Sequence, residues 1–184
     1  MMPRTGVSQL AVPVTPDDHI SGPANALVTL VEYADYECSF CGRAESSVKS
    51  VRRAMADNLR FVFRNFPLIE SHPYAMQAAA AAEAADLQGA FWEMHDLLFQ
   101  NQQALDEGSL LIYAADLGLD IGRFSTDLQS PDVLERIQRD IEGGIRSGVE
   151  GTPSFFINGW KYEGAWDQES LLSALKAAAE EDGR

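Results

Sequence analysis

Glu32-Tyr33-Ala34-Asp35-Tyr36-Glu37-Cys38-Ser39-Phe40-Cys41-Gly42 contains both cysteines of the chain. Upstream runs Leu27-Val28-Thr29-Leu30-Val31, apolar and partly β-branched, which reads as a buried strand. Downstream, Arg43–Val51 reads as helix. A Cys-x-x-Cys at a strand-to-helix junction has the pattern of a redox pair. With Cys38 opening the helix and Cys41 one turn in, the two share a helix face. Their Cα atoms then fall within reach of a disulfide. Cys38 would also meet backbone N–H groups with no intrahelical partner, at the positive end of the helix dipole. Both effects favour the thiolate, which is the attacking species. A metal site and a buried, inert pair are the alternatives. Zinc needs about four ligands, and His19, His72 and His95 stand at no recognisable spacing from the cysteines.

The chain has 184 residues, 46% of them hydrophobic, enough for one domain, or a domain with an insertion, without structural disulfides. Its net charge of −14 argues against nucleic acid or an anionic membrane surface as partner, since both need basic patches. The acidity serves solubility, or a preference for basic clients. No run approaches a transmembrane span, and Met1–Leu10 lacks the apolar core of a secretory signal. As written, the sequence is expected in the cytoplasm, where structural disulfides are rare. A trimmed mature form would instead belong to the periplasm or the exterior.

Residues 1–26, punctuated by Pro3, Pro13, Pro16 and Pro23, read as an extended arm with a short edge strand near Ala11–Val14. Strand Leu27–Tyr33, a helix from about Cys38 to Asp57 and strand Leu59–Phe66 form a βαβ unit, which implies parallel strands. From His72 to Ser147 the signals are almost all helical. Tyr74–Leu87 is alanine-rich, and Ala90–Gln102 carries Phe91, Met94 and Leu98 at helical spacing. Ser109, Asp120 and Ser130-Pro131 are expected helix starts. Strand signals return at Ser154–Ile157, with Asn158-Gly159 as a hairpin turn and Trp160–Gly164 as the return strand. Asp167 is expected to cap a closing helix. The fold class is therefore α/β with a thioredoxin-like order, β-α-β, helical insert, β-β-α. The expected division is a thioredoxin-like domain at 27–71 and 148–184, with a helical domain inserted at 72–147.

From about Gly22 to Ala178 the chain resembles the DsbA-like family of thioredoxin-fold thiol–disulfide oxidoreductases. The resemblance rests on Val31–Tyr36 leading into Cys38-Ser39-Phe40-Cys41, on the helical insert and on the closing helix. It rests also on Gly148-Val149-Glu150-Gly151-Thr152-Pro153-Ser154-Phe155-Phe156-Ile157-Asn158-Gly159, which is similar to the family's cis-proline loop and hairpin. One departure is Ser39, where the family commonly has proline. The intervening pair tunes Cys38, so this leaves the direction of electron flow open.

The resemblance implies disulfide exchange with protein, peptide or small-molecule thiols, and a redox partner that recycles the pair. No metal or organic cofactor is expected, and no membrane insertion. Cys38 would be the nucleophile and Cys41 the resolving thiol. Thr152 and Pro153 would lie beside them and pair with a client backbone as an added strand. Glu32 falls where the family places a buried acid that exchanges a proton with the resolving thiol. Ser39, Phe40 and Tyr36 are candidate client contacts, the two aromatics as an apolar collar. Glu37 reads as exposed, His95 as a hydrogen-bonded core histidine and His72 as a loop or helix-start residue. Two rival functions are a glutathione-dependent transferase or isomerase of the same fold and a peptide-binding holdase. The first typically carries serine where Cys38 stands. The second would survive loss of both cysteines.

Overall fold

The structure, a computed structural model, describes residues 8–182. A five-stranded sheet in the order β1-β3-β2-β4-β5 is built from β1 (His19–Ser21), β2 (Val28–Ala34), β3 (Leu59–Asn65), β4 (Ser154–Ile157) and β5 (Trp160–Tyr162). The helices are α1 (Ser39–Met55), α2 (Ala75–Asp86), α3 (Phe91–Gln100), α4 (Glu107–Asp116), α5 (Ile121–Asp127), α6 (Pro131–Arg146) and α7 (Gln168–Asp182), with a 3-10 turn at Ala56–Asn58. The chain therefore has the α/β, thioredoxin-like order read from the sequence. None of the helices among the described residues is long and apolar enough to cross a membrane.

The described residues form two compact units. One takes the chain up to Tyr33, Arg43–Arg64 and the residues from Gly143 on. The other takes Ala34–Gly42 and Asn65–Glu142, so the cysteine loop groups with the helices α2 to α5.

In the first unit, β2 lies at the centre of the sheet, which is why its residues are nearly all buried and its sequence nearly all apolar. Its register with β4 sets Glu32 opposite Phe155 and Tyr33 opposite Ser154. β4 and β5 form the expected hairpin. Asn158 (φ 47°) and Gly159 (φ 81°) both take the left-handed conformation that a two-residue primed turn requires.

The edge strand expected at Ala11–Val14 is not formed. Gln9 makes an isolated bridge to Trp160, and the edge strand is β1 at His19–Ser21, antiparallel to β3. The reason is Arg64. Its guanidinium is buried and donates to the carbonyls of Val12 (2.9 Å) and Pro13 (3.1 Å), to the Tyr33 hydroxyl (2.9 Å) and to both oxygens of Asp18. Those carbonyls are thereby withheld from a ladder, and Pro13 has no N–H to offer one. The first seven residues of the expected arm lie outside the described ones.

In the second unit, the small side chains of α2 let α3, α4 and α5 pack against it. Val133 and Ile137 of α6 pack on Ala79 and Ala80. Asp120 caps α5 and accepts from the Arg123 N–H at 2.9 Å. α4 departs from expectation, because its cap is Asp106 and Ser109 lies inside the first turn. The Asp106 carboxylate accepts from both the Ser109 N–H (3.1 Å) and the Ser109 hydroxyl (2.7 Å). An ionised acceptor at the positive end of a helix is the stronger cap, so the start moves back to the acid.

Candidate active site

Cys38 immediately precedes α1. Its carbonyl accepts the first helical hydrogen bond from the Gly42 N–H (3.1 Å), and its own N–H donates to the Asp35 carbonyl (3.1 Å). Cys41 lies inside the first turn, where its Sγ accepts from the Asp35 N–H at 3.5 Å. Both are buried; Cys38 is 4% exposed and Cys41 0%. The chain thus offers one thiol at a helix start and a second, more deeply buried, one turn further in. The first turn of α1 carries no acidic side chain to oppose a thiolate.

The motif is held by groups far away in sequence. Gln102, just beyond α3, donates from its side-chain amide to the carbonyls of Tyr36 (2.8 Å) and Cys38 (2.9 Å). This clamp needs Gly42, since a Cβ there would stand 2.1 Å from Gln102 Oε1. Gln102→Ala is expected to lower stability by about 1–2 kcal/mol through the two lost hydrogen bonds. Gly42→Ala displaces the same flexible amide, so the double variant should cost little more than either single one. Urea unfolding of the three variants measures this. Fully additive losses would show that Gly42 and Gln102 do not act together.

Asp35 is buried, and its carboxylate accepts from the N–H groups of Glu37 (2.8 Å) and Leu68 (2.9 Å) and from His72 Nδ1 (2.7 Å). Glu37 is half-buried and accepts from the Tyr74 N–H at 2.7 Å. It is therefore less exposed than the sequence suggests. Asp35, His72 and Gln102 were not among the candidate site residues. Asp35 stands three residues ahead of Cys38, where an acidic side chain turns back on the backbone. No periodicity links His72 or Gln102 to the cysteines.

The expected aromatic collar is corrected. Tyr36 is buried (1% exposed), with its hydroxyl 3.0 Å from His95 Nδ1 and its ring against Phe99. It is packing, and His95 is the hydrogen-bonded core histidine expected. Phe40 is 53% exposed, and Ser39 is exposed beside it.

The remaining candidates belong to the first unit. Glu32 on β2 is fully buried, and neither carboxyl oxygen has a hydrogen-bond partner among the described residues. Burial pushes its pKa well above the usual carboxylate range. The negative charge of Glu45 on α1 adds to this, and Arg52 opposes it. Thr152 and Pro153 immediately precede β4, are half-buried, and are joined by a cis peptide bond.

Residues 14–177 match the family described as thioredoxin. Among solved structures, a thioredoxin-like oxidoreductase from Silicibacter pomeroyi DSS-3 is 30% identical. The match covers 91% of this chain and 92% of that one, with a TM-score of 0.78. α-DsbA1 from Wolbachia pipientis, 20% identical over 94% of this chain and 96% of that one, has a TM-score of 0.81 and shows likeness of fold. The Na(+)/H(+) antiporter NhaA 1 of Salinispora arenicola (strain CNS-205) is 48% identical over 174 residues, which is 94% of this chain and 26% of that protein. The chain spans about a quarter of the length of the curated relatives it matches.

Proposed function

We propose, since this chain belongs to the thioredoxin family, that it is a DsbA-like thiol–disulfide oxidoreductase acting on protein or peptide clients. The observation that carries the reading is the Cys38–Cys41 pair, one thiol opening α1 and the other a turn behind it, both tied to the backbone of Asp35. The Cys38 thiolate attacks one sulfur of a client disulfide. A Cys38–client bond forms, the client S–S bond breaks, and one client thiolate leaves. The Cys41 thiolate then attacks the Cys38 sulfur, forming the Cys38–Cys41 disulfide and releasing the second client thiolate. The client gains two electrons and the chain loses two; the reverse sequence oxidises a client dithiol. A separate thiol or disulfide partner resets the pair.

Ser39 and Phe40 present the exposed rim of the motif to the client. Thr152 and Pro153 are assigned to its backbone, and Glu32 to proton exchange during resolution. The antiporter name attaches to relatives of which this chain matches about a quarter. Ion transport is therefore not carried over to it.

Equilibration with glutathione buffers of graded potential tests the reading. A two-electron transition of Cys38 and Cys41 is expected. A midpoint near about −120 mV would make the protein an oxidant, and one near about −270 mV a reductant. Thiols that fail to cycle with glutathione at any potential would overturn the proposal.

A further inference from the structure

The two residues between the cysteines, Ser39 and Phe40, carry no charge. Any side-chain cation acting on the Cys38 sulfur must therefore come from outside the motif. Asp35 shows where one is held. Its backbone engages both cysteines, through the Cys38 N–H at 3.1 Å and Cys41 Sγ at 3.5 Å. Its carboxylate fixes His72 Nδ1 at 2.7 Å. One residue thus anchors the thiol pair and an imidazole in the same unit.

The groups whose charges act on His72 are Asp35, Cys38 and Glu37. Partial burial works against a charged imidazole. The hydrogen bond to Asp35 and the negative charges of Asp35, Cys38 and Glu37 outweigh it, and the His72 pKa is raised. Charge coupling is mutual, so a Cys38 charge that favours the imidazolium is itself favoured by the imidazolium. Glu37 works against this, because it shares the cation and its own charge opposes a thiolate. Its carboxylate is engaged by the Tyr74 N–H, which spreads part of that charge onto the backbone.

We propose that Asp35 and His72 form a positioning pair that holds an imidazolium by the Cys38 sulfur, so that a histidine outside the motif sets how much of Cys38 is thiolate. The inference rests on the reading of Cys38 as the nucleophile and adds what tunes it. The sign follows from the coupling. The cation is present below the His72 midpoint and is lost as pH rises through it, so its effect on Cys38 is greatest on the acid side.

The test is the pH profile of Cys38 alkylation by iodoacetamide in a Cys41→Ser background, where Cys38 alone reacts. His72→Gln should move the profile to higher pH and slow alkylation at least about threefold on its acid side. His72→Lys, which keeps a cation, should restore most of the rate. Unchanged profiles in His72→Gln would overturn the inference. A second measurement needs no change at His72. The imidazole of His72 is titrated by NMR in the otherwise wild-type chain and in Cys38→Ser, and its midpoint should fall when the sulfur is removed. An unmoved midpoint would equally overturn the pair. Neither readout uses client turnover. A chain that does not cycle with glutathione but shows both shifts would lose the proposed function and keep the inference.

Discussion

Cys38→Ser is expected to reduce thiol–disulfide exchange to the uncatalysed background, whereas Cys41→Ser is expected to accumulate mixed disulfides. The difference follows from the positions of the two sulfurs. Cys38 caps α1, where the helix dipole and the start of the backbone N–H series favour a thiolate. A serine hydroxyl at that position has no comparable nucleophilicity at neutral pH. Cys41 is fully buried behind it. Without Cys41 the first exchange still proceeds, but the Cys38–client bond has no internal thiolate to displace it. Insulin reduction reads the first loss. Mass spectrometry of client adducts under non-reducing conditions reads the second. Insulin reduction by Cys38→Ser at the wild-type rate would sink the mechanism.

The parts of this site that could be read from the sequence are those encoded by short-range chemistry. The strand, the Cys-x-x-Cys and the helix that follows are contiguous, so the β2–α1 junction appears as a run of residue types. The Asn158-Gly159 hairpin and the Asp120 and Asp167 caps are likewise local, each a matter of one side chain and the backbone beside it. What could not be read depends on the chain returning to itself. Val12 and Pro13 look like part of a strand until the Arg64 guanidinium occupies their carbonyls from fifty residues away. Gln102 and His72 carry no pattern that marks them for the cysteine loop. Gly42 looks like an ordinary glycine in a first turn until Gln102 is seen to need its missing Cβ. Tyr36 and Phe40 read alike as aromatics flanking the motif. Only packing shows that one is buried against His95 and Phe99 and the other exposed at the surface.

Glu32→Leu is expected to stabilise the protein while impairing exchange. The carboxyl is fully buried on the central strand, with no hydrogen-bond partner among the described residues and with the Glu45 charge raising its pKa further. An acid whose folded pKa lies above its unfolded value binds protons more tightly when folded. Its contribution is intact below the unfolded value and is lost as pH rises through the folded one. Wild-type stability should therefore fall across the range from mildly acidic to alkaline pH, and Glu32→Leu should lack this part of the fall. The gap between the two should widen with pH and reach about 1–3 kcal/mol by pH 8, the cost of a buried polar group without a partner. Arg52, whose charge opposes the rise, is not stranded by the change. It donates to Ser21 Oγ at 2.7 Å and lies 4.9 Å over the Phe61 ring. Urea unfolding at pH 5 and pH 8 measures the gap. Glu45→Gln, which removes the charge that pushes Glu32 up, should make the wild-type pH slope shallower. A Glu32→Leu protein less stable than wild type at pH 8, or a gap that does not change with pH, would contradict this account. A stabilised Glu32→Leu with slowed release of the mixed disulfide would identify Glu32 as an acid retained at a cost in stability for the proton it exchanges.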